Sequence, residues 1–242
     1  MAETGGGEKI RVAALGDLHV SEDAGLRYGE MFAEISERAD VLVLCGDLTN
    51  LGTRREASLL AKDLESLTIP VVGVLGNHDV ESGKAEEVRR LLADAGVAFV
   101  EGRGRTVRGI GFAGVRGFGG GFGRGMLSSF GEPTVKQFVA EAVAEAVRLE
   151  EALWSLKTER TVVVLHYAPI VGTVEGEPRE IFPFLGNSRL AETIDRFPVT
   201  AVFHGHAHHG TYQGRTAKGV PVYNCAAPVA KPTGRAYALI EV

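Results

Sequence analysis

Seven side chains able to hold a metal ion recur along this chain in five short blocks: Asp17-Leu18-His19, Gly46-Asp47, Gly76-Asn77-His78-Asp79, His166 and Gly205-His206-Ala207-His208. In an extended chain residues i and i+2 point the same way, so Asp17 and His19 can grip one ion from one side, as can His206 and His208 from another. A carboxylate has two oxygens and can hold an ion with each, which makes Asp47, after a glycine that lets the backbone turn, the natural bridge. Asn77 supplies an amide oxygen and His166 an imidazole. Such a mixed oxygen and nitrogen set without thiolate suits Mn, Fe, Zn or Ni better than a Cys-rich structural zinc site or an all-oxygen calcium site. The expected cofactors are therefore two divalent transition-metal ions of open identity.

Two cations about 3.5 to 4 Å apart lower the pKa of a shared water toward neutrality and offset charge on the attacking and leaving oxygens of an in-line displacement. The leaving alkoxide still needs a proton. Imidazole is the side chain best matched to donate one at neutral pH, and His78 is the candidate. Asp79 could orient that ring or raise its pKa, provided a turn lets neighbours in sequence meet.

The ordered set DxH, GD, GNHD, H and GHxH resembles the calcineurin-like metallophosphoesterases, over roughly residues 10 to 210. The resemblance implies that Asp17, His19, Asp47 and His208 hold one metal, that Asp47, Asn77, His166 and His206 hold the other, and that His78 faces the leaving group. Its pattern looks like that of class III cyclic-nucleotide phosphodiesterases, and it implies a phosphodiesterase acting on a small or nucleotide-like substrate. Monoesterases, nucleases and pyrophosphatases of nucleotide-linked lipids share the pattern. A non-catalytic scaffold that keeps the fold is the alternative of another class. Ala207 stands where Thr is frequent and Asn50 closes GDLTN where an acid is frequent; neither is a ligand position. His204 shares a face with His206 and His208 and reads either as a partner that orients a ligand ring or as a core residue, whereas His209 falls on the opposite face and reads as structural or solvated.

Each block sits where an apolar run ends, so the elements that position it read as strands. Strands are expected near 10 to 15, 41 to 45, 71 to 75, 97 to 100, 106 to 115, 161 to 165, 200 to 204, 220 to 225 and 235 to 241, alternating in the first half with helices near 26 to 38, 53 to 66 and 84 to 95. That is an α/β chain. Thr53 and Ser188 are plausible N-caps, and Pro133 suits an early helical position. From Pro133 to Thr158, Val135, Phe138, Val139, Ala142, Val143, Ala146, Val147 and Trp154 recur at helical steps, which predicts an amphipathic helix packed on the core. The resemblance implies a four-layer α/β/β/α sandwich of two mixed sheets flanked by helices.

Gly109 to Gly114 fits GxGxxG, but no helix opens at its third glycine, so it is not read as a nucleotide fingerprint. The run Gly117 to Gly125 reads as a mobile surface loop, a substrate lid whose Phe118, Phe122 and Arg124 could cover a base and a phosphate. The segment Gly172 to Asn187 is expected to frame the leaving-group side.

At 242 residues and 45% hydrophobic the chain suits one enzyme domain without disulfides. A formal charge of −5 with no Lys/Arg run gives no footprint for a nucleic-acid groove or an anionic membrane, and points to a small phosphoester as partner. Cys45 and Cys225 lie in apolar runs and read as core residues in a reducing compartment. Residues 1 to 9 carry no apolar h-region, and no run is long enough to span a membrane, so a disordered tip and a cytoplasmic protein are expected.

Overall fold

Runs rich in Val, Ala and Leu build two mixed sheets whose alternate side chains face opposite ways. The computed structural model describes residues 9–25 and 27–242. In the first sheet β1 (Arg11–Leu15), β2 (Val41–Cys45), β3 (Val71–Val74) and β4 (Val97–Phe99) run parallel, and β11 (Ala238–Glu241) lies antiparallel against β1. In the second, β6 (Ile110–Val115), β7 (Thr161–Leu165), β8 (Ala201–His204) and β10 (Pro221–Asn224) are parallel. Antiparallel β5 (Arg105–Val107) and β9 (Gln213–Arg215) close its two edges.

The layers follow from which alternate residues each neighbour buries. Val12, Ala14, Val43, Val72 and Val74 meet Phe112, Val162, Val164 and Phe203 between the sheets. The other face of the first sheet, with Leu15, Leu42 and Leu44, is covered by Phe32 and Ile35 of α1 (Gly29–Arg38), Leu60 of α2 (Arg54–Leu64) and Leu92 of α3 (Ala85–Asp94). Leu149 and Leu153 of α4 (Pro133–Trp154) and Leu190 and Ile194 of α6 (Ser188–Ile194) cover Val115, Val163 and Val202 of the second sheet. A short α5 (Phe182–Leu185) precedes α6. The result is the α/β/β/α sandwich.

Thr53 caps α2 in a capping box: its hydroxyl accepts from the Glu56 N–H at 3.2 Å while the Glu56 carboxylate accepts from the Thr53 N–H at 3.1 Å. Pro133 takes the first turn of α4. Three expectations change. Asn187, not Ser188, caps α6, its side chain accepting from the Arg189 N–H at 3.0 Å. The run 106 to 115, whose Val107, Ile110, Phe112 and Val115 read as a strand or a hairpin, is the hairpin rather than one strand, turned at Arg108 and Gly109, which both have positive φ (51° and 77°). On α4 only part of the apolar set reaches the core: Val139, Ala142 and Ala146 are buried, whereas Val143, Val147 and Trp154 form an exposed stripe about 100° away around the helix, Trp154 at 71%. The tip expected to be disordered falls on residues 1 to 8, outside the described residues; Lys9 pairs with Glu241 at 2.8 Å. Among the described residues no helix is long and apolar enough to cross a membrane.

Candidate metal centre

The five motif blocks leave the carboxyl ends of β1, β2, β3, β7 and β8, so parallel neighbours deliver them to one edge of the sandwich. Strong turns follow at once. Asp17, His19, Asp47 and His206 all adopt left-handed backbone, with φ of 58°, 45°, 48° and 71°. Such geometry is uncommon outside glycine and gathers at functional sites. The motif glycines make room for one another's ligands. A Cβ on Gly46 would stand 2.7 Å from the His166 ring, one on Gly76 would overlap the Asp47 carboxylate, and one on Gly205 would overlap that of Asp17.

Donor atoms from three groups lie within 4.8 Å of one another: Asp17, His19 and His208; His19, Asp47 and His78; and Asp47, His166 and His206. Asp47 Oδ2 lies 3.9 Å from His19 Nε2, and its Oδ1 lies 3.4 Å from His166 Nε2. His166 Nε2 also lies 2.8 Å from Asn77 Oδ1. On the other flank His208 Nε2 stands 2.9 Å from Asp17 Oδ1.

Backbone carbonyls decide which nitrogen of each ring is free, because a carbonyl can only accept. His166 donates from Nδ1 to Cys45 at 2.9 Å, so Nε2 turns its lone pair toward Asp47 and Asn77. His206 donates from Nε2 to Phe184 at 3.2 Å and offers Nδ1. His78 donates from Nδ1 to Asn50 at 2.6 Å and leaves Nε2, 3.9 Å from Asp47 Oδ2, facing the cluster. Each carbonyl thus fixes the orientation of its ring, as the outer partner of a metal-holding imidazole does.

Burial holds the His206 ring neutral by lowering its pKa to about 3, so its lone pair is available throughout the neutral range. Burial lowers His19 as well. Burial opposes ionisation of Asp17, yet the His208 hydrogen bond and the neighbouring imidazoles hold its carboxyl below the ordinary value. His208 is raised in turn, chiefly by that bond.

Asp79 corrects an expectation. Its carboxylate is fully buried and turned away from the His78 ring, accepting from the N–H groups of Thr49 (2.7 Å), Gly76 (2.8 Å) and Leu48 (3.2 Å) and from the Thr49 hydroxyl (2.6 Å). It clamps the β2 and β3 exits together. Asp79→Ala strips several buried donors at once, costing about 3 kcal/mol or more. For a domain of this size that lowers Tm by about 6 to 12 °C, which differential scanning calorimetry reads; an unchanged Tm would remove the clamp.

The glycine run corrects another. Gly117, Gly119, Gly120 and Gly121 are buried. The N–H of Gly120 donates to Pro183 at 2.6 Å and that of Gly121 to Gly186 at 2.9 Å, and a Cβ on Gly119 would stand 2.6 Å from the Pro183 carbonyl. Lack of side chains here permits close packing on α5 rather than motion. Phe118 packs on Phe138 and Tyr167, with ring centroids at 4.7 and 6.0 Å. Phe122 meets Phe182 at 6.4 Å. Arg124 stands exposed on the 3-10 turn Gly123–Gly125.

His204 is buried between the Gly205 carbonyl (2.7 Å) and the Thr173 hydroxyl (2.8 Å), and burial lowers its pKa to about 4. His209 is exposed. Asn224 carries no motif yet fixes the turn after β8, donating to the Ala207 carbonyl at 2.7 Å and accepting from the Ala226 N–H at 3.2 Å. Only its position in a buried strand end could have pointed to it.

The sequence profile described as calcineurin-like phosphoesterase matches residues 10–210. The chain belongs to this family. A calcineurin-like phosphoesterase is a metal-dependent phosphoester hydrolase that acts on small phosphoester substrates and binds divalent metals. The fold is similar to that of the phosphopantetheinyl hydrolase PptH from Mycobacterium tuberculosis, at a TM-score of 0.69 and 16% identity over 96% of each chain. It is also similar to TT1561 of Thermus thermophilus, at 0.60 and 19% over 90% of this chain and 89% of that one. No curated protein sequence matches this calcineurin-like phosphoesterase closely.

Proposed function

We propose that the chain hydrolyses a small phosphodiester with two divalent transition-metal ions, Asp17, His19, Asp47 and His208 holding one and Asp47, Asn77, His166 and His206 the other. The observation that carries this reading is the place of Asp47, whose two oxygens face separate donor groups. The donors fit cations. His19 Nε2 is buried without a hydrogen-bond partner among the described residues, and His166 Nε2, Asn77 Oδ1 and Asp47 Oδ1 turn electron pairs toward one another. Opposed lone pairs in a buried site call for positive charge between them. The set holds nitrogen and oxygen but no sulfur, which favours Mn, Fe, Zn or Ni.

When bound, such ions supply Lewis acidity toward the phosphoryl oxygens and water that ionises near neutral pH. The residues do the rest. The Asn50 carbonyl accepts from the Nδ1–H of His78 and so points the Nε2 edge of the ring toward the cluster, from where a proton on Nε2 would pass to the departing oxygen. The His78 N–H donates to Asp47 Oδ1 at 2.8 Å, which fixes the acid relative to the bridging carboxylate. Tyr167, its ring 4.3 Å from that of His206 and 5.4 Å from that of His166, covers one flank and keeps water from those imidazoles.

Two buried, unpaired cysteines suit a reducing, cytoplasmic setting. With added Mn²⁺, an aryl phosphodiester should turn over faster than its monoester, with cyclic AMP as a third arm. Preference for the monoester would replace the diesterase reading, and inactivity on all three with Mn, Fe, Zn and Ni would sink it.

A further inference from the structure

Five uncharged residues, Leu127, Thr134, Val135, Phe138 and Phe184, line an open groove of about 230 Å³. Phe184 is 58% exposed and Val135 37%. Exposing an aromatic ring and its aliphatic neighbours together is unfavourable unless something covers them, at about 25 cal/mol per Å² of apolar surface. The groove is preformed. The Arg189 guanidinium donates to the Leu127 carbonyl at 3.1 Å, the Leu127 N–H donates to Gly120 at 2.8 Å, and Phe138 stands 4.7 Å from Phe118 and 6.2 Å from Phe184 between ring centroids.

Its position says what covers it. The Phe184 carbonyl accepts from His206, so the residue that walls the groove also orients a candidate metal ligand. Packed rings continue from His206 through the buried Tyr167 (4.3 Å) and Phe118 (6.0 Å) to Phe138, so the groove is built on the same aromatic cluster as the candidate ligand. Through Phe184 the groove adjoins the site, and the ester group of a phosphate held there is the occupant of matching chemistry. The lining offers one hydroxyl, that of Thr134, and no charge, so it has nothing to satisfy the polar edges of a nucleobase or the hydroxyls of a ribose. We propose that this groove holds an aliphatic or aromatic group esterified to the substrate phosphate, so that the enzyme prefers apolar phosphoesters over nucleotides. The inference rests on the phosphoesterase reading and deepens it.

The test separates the two. Methyl, butyl and octyl methylphosphonates, which carry one charge and resist cleavage, are titrated into the Mn²⁺-loaded protein by calorimetry, beside turnover of the matching p-nitrophenyl alkyl phosphodiesters. The expected result is a Kd that falls about fourfold for each methylene buried until the groove is full. Val135→Asp, on the half-exposed wall, flattens that slope; Leu127→Asp serves if the first variant misfolds, and metal content checks that each is intact. Equal affinity across the series overturns the groove proposal whether or not the diesters are cleaved. A flat series together with self-association that Val135→Asp abolishes overturns it in favour of a second copy of the chain. Chain-dependent binding without turnover on any diester upholds the groove and sinks the diesterase reading instead.

Discussion

Asp47→Asn loses both ions and lowers turnover by about 10³-fold or more. The substitution keeps the side chain's shape and an oxygen that can accept from the His78 N–H, so the fold has no reason to fail. It removes the charge that both donor groups share. Metal ions supply several kcal/mol of charge stabilisation in the transition state, and each tenfold in rate corresponds to about 1.36 kcal/mol. Elemental analysis beside kinetics reads the result. Two ions retained per chain would show that Asp47 does not bridge, and the division of ligands into two sets would have to be redrawn.

His78→Ala has the opposite signature: metal content stays and turnover falls about 10²- to 10⁴-fold, the span of a lost general acid. The loss should be largest for alkyl esters, whose departing oxygen is strongly basic, and smaller for p-nitrophenyl esters, which leave without a proton. The contrast matters because His78 also belongs to a donor group with His19 and Asp47. Loss of an ion in the variant would make His78 a ligand, and an equal loss for both ester classes would remove the proton-donor role.

The sequence made the convergence legible because polar blocks at the ends of apolar runs have few ways to be arranged once the runs pair in parallel. Asp17, Asp47, His166 and His206 could be named together for that reason. It could not tell which atom orients which ring. His78, His166 and His206 are held by the carbonyls of Asn50, Cys45 and Phe184, and a carbonyl is common to every residue. Asp79 was misjudged because His78 and Asp79 share a tight 3-10 turn, where neighbours point apart and the carboxylate meets the Thr49 and Gly76 amides instead. The run from Gly117 illustrates an ambiguity in glycine itself, which permits mobility and close packing equally. On α4 a helical period was right, but the helix carries apolar residues around more of its circumference than one sheet can cover, leaving Trp154 and Val147 outside.

In the second sheet β7 and β8 deliver donors to the candidate metal centre, whereas the neighbouring parallel strand β6 does not. Its exit, residues 116 to 132, instead runs along α5 and leads into α4, supplying Leu127 to the wall beside His206. Four of the five residues that line the groove thus come from the chain between β6 and β7, and only Phe184 also touches a donor side chain. Grafting a different β6 exit is a route to retargeting this hydrolase that leaves its cation-holding loops untouched.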